Sequence, residues 1–237
     1  MSIPHLKIKV FADGANVTDM VAAYKAGQVK GFTTNPTLMR KAGITDYEEF
    51  AREVLAEIRT LPISFEVFSD DIAEMARQAR KITGWGPNVY VKIPVTNTRG
   101  ESTERIIKEL SADGIRLNVT AILTLEQVRT VVAALSPKTP AIVSVFAGRI
   151  ADTGRDPIPH MREALAIVRR SPLAELLWAS PREVLNIYQA EAIGCDIITV
   201  TSDVLHKLPL RGKDLAEVSL DTVKMFYNDA VSAGYKL

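Results

Sequence analysis

A short β-branched or aliphatic run followed by an amphipathic stretch recurs along this chain, and the alternation limits the folds open to it. Strands are predicted at 8–12, 31–34, 63–68, 89–95, 115–120, 141–146, 176–180 and 197–201. Helical patterns lie between them, as at 45–60, 70–82, 101–112, 124–135, 157–170 and 182–193. Thr45, Asp70 and Thr124 stand where helix N-caps are wanted, and Gly27, Gly84 and Gly194 follow helices. Strands separated by helices pair in parallel through crossovers. Eight such units are the number that closes into a ring. The rival, an open doubly wound sheet, often carries a glycine-rich turn after its first strand. Here that strand runs into Asp13-Gly14-Ala15-Asn16, which is not such a turn. The expectation is an α/β chain forming a single (β/α)8 TIM barrel over 1–237, with an extra C-terminal helix at about 214–231.

A length of 237 residues suits one barrel, and 47% hydrophobic with 24% charged residues is a globular composition. The 29 basic and 28 acidic residues nearly cancel, which argues against a nucleic-acid or anionic-membrane binder. One cysteine, Cys195, excludes an intrachain disulfide, and His5, His160 and His206 show no metal-ligand spacing. No metal and no cofactor are expected. The N-terminus lacks a signal-peptide pattern, and no run approaches the roughly 18 apolar residues of a membrane span, so the cytoplasm is the expected compartment.

The informative residues lie inside the strands. Side chains alternate faces with period 2. Val89, Val91, Ile93 and Val95 form an all-aliphatic face that must pack on helices, so Tyr90, Lys92 and Pro94 point into the barrel. The same split sets Ser64, Glu66 and Phe68 inward, then Arg116, Asn118 and Thr120, then Ile142, Ser144 and Phe146. Trp178 shares its parity with Ser180, which the pattern also turns inward. Glu66, Lys92, Asn118 and Ser144 follow one another at intervals of 26 residues, so successive βα units place a polar residue at equivalent inward positions. Asp13 and Asn35 stand at the ends of the first two strands. An unpaired buried polar group costs about 1–3 kcal/mol. A mutually satisfied network with Lys92 paired to Glu66 or Asp13 is the bland explanation; a catalytic site at the C-terminal strand ends is the sharper one.

A lysine enclosed by aliphatic neighbours gives up its proton more readily, and a neutral amine attacks carbonyls to form a Schiff base. The iminium draws electrons from the adjacent carbons, which opens aldol cleavage and addition without a metal. Asp13 and Glu66 are the available acid/base pair.

Six motifs carry a family resemblance: Phe11-Ala-Asp13-Gly-Ala-Asn16, Gly31-Phe-Thr-Thr-Asn35-Pro36, Val91-Lys92-Ile-Pro94, Asn118-Val-Thr120, Ser144-Val-Phe146-Ala-Gly148-Arg149 and Ala179-Ser180-Pro-Arg182. In this order they resemble the transaldolase family, in its short branch that includes fructose-6-phosphate aldolases. The resemblance implies that Lys92 forms the Schiff base and that Asp13 is the acid/base of C–C cleavage. It gives Glu66 and Thr120 the positioning of a catalytic water. Asn35, Asn118 and Ser144 take the dihydroxyacetone portion, and Arg149, Ser180 and Arg182 the sugar phosphate. Two guanidiniums and a hydroxyl also suit a phosphate on chemical grounds. Glu66 and Phe146 stand where the aldolases tend to carry Gln and Tyr, which points to transaldolase: transfer of a dihydroxyacetone unit between sugar phosphates, as in the pentose phosphate pathway. Arg182 points the same way.

The chain departs from the family pattern at Gly14, Val145 and Trp178, each a change that reshapes the pocket. Three rivals remain: a fructose-6-phosphate aldolase releasing dihydroxyacetone, a deoxyribose-phosphate aldolase type with a second lysine, and a non-catalytic sugar-phosphate-binding protein. The C-terminal helix has apolar residues on more than one side (Leu215, Val218, Leu220, Val223, Phe226, Tyr227, Val231), as contact with another subunit requires. The resemblance implies a homo-oligomer, a pentamer or decamer.

Overall fold

The computed structural model describes residues 6–236; His5 lies outside them. Eight parallel strands form a closed barrel in chain order: β1 (Lys9–Asp13), β2 (Gly31–Thr33), β3 (Ile63–Glu66), β4 (Val89–Pro94), β5 (Leu117–Ile122), β6 (Ala141–Val145), β7 (Ala174–Trp178) and β8 (Ile197–Thr201). The ring closes where β1 pairs with β8, from Lys9 opposite Ile197 to Asp13 opposite Thr201, which excludes the open sheet. The helices are α1 (Val17–Lys25), α2 (Pro36–Lys41), α3 (Tyr47–Glu57), α4 (Ile72–Thr83), α5 (Glu104–Ala112), α6 (Leu125–Ala134), α7 (Ala147–Asp152), α8 (Pro157–Val168), α9 (Leu185–Ala192), α10 (Ser202–Lys207) and α11 (Leu215–Ser232). Among the described residues no helix is long and apolar enough to cross a membrane.

Side-chain caps start most of the longer helices. Thr124 closes a full capping box on α6. Two predicted caps lie one residue early: Asp46, not Thr45, accepts from Glu49 N, and Asp71, not Asp70, accepts from Glu74 N. In each case the neighbouring acid is the residue whose carboxylate reaches the N3 amide. Gly27 and Gly194 adopt the left-handed conformation after their helices, whereas Gly84 closes α4 with right-handed dihedrals.

The core has two compartments separated by the sheet. Outward residues such as Val91, Ile93, Leu117, Val119 and Val143 are fully buried against the helices. Each contributes about 1.5–3 kcal/mol by leaving water. Inside the ring, Phe11, Ile142, Leu177, Ala179 and Ile197 form a separate apolar plug, with Tyr90 and Phe146 packed on it. Gly31 makes room for that plug, since a Cβ there would lie 2.5 Å from the Phe11 ring.

Two predicted inward residues face elsewhere. Trp178 packs in the outer compartment, because Leu177, in register with Ser144, takes the inward position. Strand β7 then stops, and Ser180 turns at φ +58°, so period-2 counting from Trp178 to Ser180 fails. Phe68 lies beyond the end of β3, is 66% exposed and rests edge-on against Tyr47. Val145 also lies in the outer compartment, so of the three departures noted above only Gly14 borders the strand-end site.

The turn at Ser180 meets α7 at Gly148, where a Cβ would fall 1.5 Å from the Ser180 carbonyl oxygen. Gly148→Ala therefore forces α7 off the β7 loop. We expect a loss of about 1–3 kcal/mol or more, read as a lower urea midpoint at unchanged slope.

Candidate active site

Lys92 is the fourth residue of β4 and is only 7% exposed, with its amine inside the ring. Glu66 ends β3 directly opposite it in the ladder, so the parallel register alone brings the two side chains together. Lys92 Nζ lies 3.1 Å from Glu66 Oε2 and donates to the Thr34 carbonyl at 3.0 Å. The ion pair anticipated from the alternation is present, and a backbone acceptor joins it.

Asp13 ends β1, with its carboxylate accepting from Thr33 Oγ1 at 2.8 Å and from Asn35 Nδ2 at 3.4 Å. Thr33 Oγ1 in turn lies 2.5 Å from Thr199 Oγ1. Burial raises the Asp13 pKa above the usual carboxylate value; the charge of Lys92 and the hydrogen bonds from Thr33 and Asn35 pull it back in part. Asn35 serves two ends at once. Its Oδ1 accepts from Leu38 N to cap α2, Pro36 supplies the first turn, and its amide nitrogen is thereby aimed at Asp13.

Across the ring, Ser144 Oγ donates to Asn118 Oδ1 at 2.6 Å, and Asn118 Nδ2 donates to Ser64 Oγ at 2.9 Å. This fixes the orientation of a fully buried amide. Thr120 Oγ1 is buried and has no hydrogen-bond partner in the protein. It sits beside a register shift in the β5–β6 ladder, where Ala121 adopts φ +61°. Ala121 and Ser180 are the non-glycine residues with positive φ among the described residues, and each adjoins or forms part of the site.

The three residues assigned to phosphate lie at the outer rim. Arg149 is exposed on α7 with its guanidinium 5.6 Å from the centre of the Phe146 ring. Arg182 is held by Asp152, Nε donating at 3.1 Å and a second, closer bond running from Nη2. The charge of Arg149 also helps keep Asp152 below the usual carboxylate range, after the hydrogen bond from Arg182. Ser180 is half-buried against Gly148.

Sequence reasoning missed several members. Nothing in the Gly31–Pro36 motif singles out Thr33 and Thr34, and strand alternation turns Ser64 inward without giving it a role. Tyr47 lies on a helix, beyond the reach of any strand periodicity. Asp152 carried no signal.

The closed barrel thus gathers, at its strand ends, an amine, two carboxyl groups and a chain of amide and hydroxyl groups. The family described as "Transaldolase/Fructose-6-phosphate aldolase" matches residues 10–236. A relative from Dehalococcoides mccartyi named "Probable transaldolase" is 36% identical over 218 residues, 90% of this chain and 97% of its own. One of the same name from Lactiplantibacillus plantarum is 34% identical over 219 residues, 90% and 96% of the two chains. The chain therefore belongs to the transaldolase/fructose-6-phosphate aldolase family. In fold alone it is similar to the crystal structure of 3-keto-L-gulonate-6-phosphate decarboxylase from Vibrio cholerae, with TM-score 0.56, 17% identity, and coverage of 83% of this chain and 88% of that one.

The raised pKa of Asp13 has a consequence for stability. The folded carboxyl keeps its proton to higher pH than the unfolded one. Its contribution is therefore favourable below the ordinary value of 3.8 and is lost as pH rises through the folded value. Asp13→Asn should be more stable than the parent at pH 7, with the difference vanishing near pH 3. Urea unfolding at the two pH values measures this.

Proposed function

We propose that this chain is a cytoplasmic transaldolase that moves a dihydroxyacetone unit from a ketose phosphate, such as fructose 6-phosphate or sedoheptulose 7-phosphate, to an aldose phosphate, such as erythrose 4-phosphate or glyceraldehyde 3-phosphate. The observation that carries this reading is the buried Lys92 amine, held at 3.1 Å from the Glu66 carboxylate inside the barrel with Asp13 close enough to feel its charge.

In this reading Lys92 passes its ammonium proton to Glu66, and the neutral Nζ attacks the ketone carbon. The carbinolamine loses water as Glu66 returns a proton to the departing hydroxyl, through a water held with Thr120. The unpartnered Thr120 hydroxyl supports that role, because a buried polar group of this kind calls for a small polar ligand. Asp13 then takes the C4 hydroxyl proton, the C3–C4 bond breaks, and its electron pair moves onto the iminium nitrogen. The aldose phosphate leaves as an aldehyde. The enamine adds to the incoming aldehyde, Asp13 gives its proton to the new hydroxyl, and water releases the product ketose. Asn35 and Asn118 each keep a second amide N–H for the three-carbon unit, and the Ser144 oxygen, whose proton goes to Asn118, accepts from one of its hydroxyls. Arg149, Ser180 and Arg182 take the phosphate, for which Asp152 is the resident anion on Arg182. Phe146 offers no hydroxyl to protonate the enamine, which favours transfer over release.

Borohydride reduction with fructose 6-phosphate should leave one adduct, on Lys92, and Lys92→Met should abolish both adduct and turnover. The variant loses the partner of Glu66 and should melt lower while still folding. A wild-type protein that binds sugar phosphate without any adduct would instead be a binding protein. In assays with erythrose 4-phosphate, transfer should exceed release of free dihydroxyacetone, and Phe146→Tyr should shift the balance toward release.

The proposal extends to a homo-oligomer. Helix α11 has no buried residue and leaves Leu220, Val223, Phe226 and Tyr227 exposed. A second copy of the chain is the occupant for such a face. Light scattering should report a multiple of 26.0 kDa, and Phe226→Glu should lower it.

A further inference from the structure

The β2–β3 ladder is interrupted at the point where it meets the lysine. Its rungs run from Phe32 N to the Pro62 carbonyl at 2.9 Å and from Thr34 N to the Ser64 carbonyl at 3.2 Å. Continued by the parallel pattern, the next rungs would join Glu66 N to the Thr34 carbonyl, and the nitrogen of residue 36 to the Glu66 carbonyl. Neither forms. Residue 36 is proline and has no N–H, and the Thr34 carbonyl instead accepts from Lys92 Nζ at 3.0 Å. The backbone of Glu66 is thus deprived of both partners on its β2 side.

One hydroxyl replaces them. Tyr47 Oη accepts from Glu66 N at 2.7 Å and donates to the Glu66 carbonyl at 2.9 Å. Its ring is wedged edge-on among Phe65, Phe68 and Trp85, with centroids 5.4 to 6.2 Å away, so the hydroxyl has little freedom to leave. We propose that Tyr47 is a positioning residue for the lysine: by standing in for Thr34 and for the missing N–H of Pro36, it anchors the end of β3 that carries Glu66 and leaves the Thr34 carbonyl free to hold the Lys92 amine. This rests on the Schiff-base reading of Lys92. It adds a residue from outside the barrel wall to the machinery that aims the nucleophile.

Tyr47→Phe keeps the ring packing and removes the hydroxyl. Glu66 N then claims the Thr34 carbonyl, and Lys92 loses one of its two anchors. A misplaced nucleophile slows bond formation while leaving distant binding contacts intact. We expect imine formation, timed by quenching with borohydride, to fall roughly ten- to a hundredfold, with KM for fructose 6-phosphate within about twofold. Trp85→Phe disturbs the same aromatic cluster without touching the hydroxyl and should form the imine at the parent rate. Hydrogen exchange should find the Glu66 amide still protected in Tyr47→Phe, now by Thr34. Parent-like imine formation in Tyr47→Phe overturns the proposal. So does equal slowing in Trp85→Phe, or a Glu66 amide that loses protection. If the parent itself forms no adduct, the Schiff-base reading fails instead.

Discussion

An ammonium enclosed by a ring of strands has lost most of its hydration, and the protein has to return that solvation from fixed groups. Here two do so: the Glu66 carboxylate, opposite Lys92 in the ladder, and the Thr34 carbonyl, taken out of the β2–β3 ladder. The rest of the site is arranged around this arrangement. The early end of β2 frees Thr34. Asn35 and Pro36 turn the chain at once into α2, and Tyr47 mends the ladder that they leave open. The lysine's environment is therefore a property of three consecutive strands and two helices.

The two-compartment core explains how a polar site survives in the middle of the molecule. Stability comes chiefly from the outer layer, where aliphatic strand faces meet the helices. The inner plug of Phe11, Ile142, Leu177, Ala179 and Ile197 fills part of the barrel interior. Other inward positions are free to be polar, and they satisfy one another: Ser144 to Asn118 to Ser64 on one side, Thr199 with Thr33 and Thr33 to Asp13 on the other. Asp13 carries a burial penalty, and Thr120 lacks a partner.

Much of this was legible in the chain. The 26-residue interval linking Glu66, Lys92, Asn118 and Ser144 survives as a set of inward residues, because strand alternation is a covalent property that packing seldom overrides. Element ends were less legible. Strand β7 lies at Ala174–Trp178 rather than 176–180, and Trp178 consequently faces the helices. Caps slipped by one residue at Asp46 and Asp71, where two capping-capable residues stand side by side and only the path of the chain selects between them.

Periodicity and residue type determined the barrel, the inward set and the presence of an amine with two carboxyl groups, since each follows from local geometry repeated along the chain. What they left undetermined was every relation between residues that share no element. That Thr34 lends its carbonyl to Lys92, that Tyr47 takes its place, and that Asp152 reaches Arg182 are facts of closure. They arise only when segments distant in the chain pack together, because hydrogen bonds between such segments depend on where the whole backbone comes to rest.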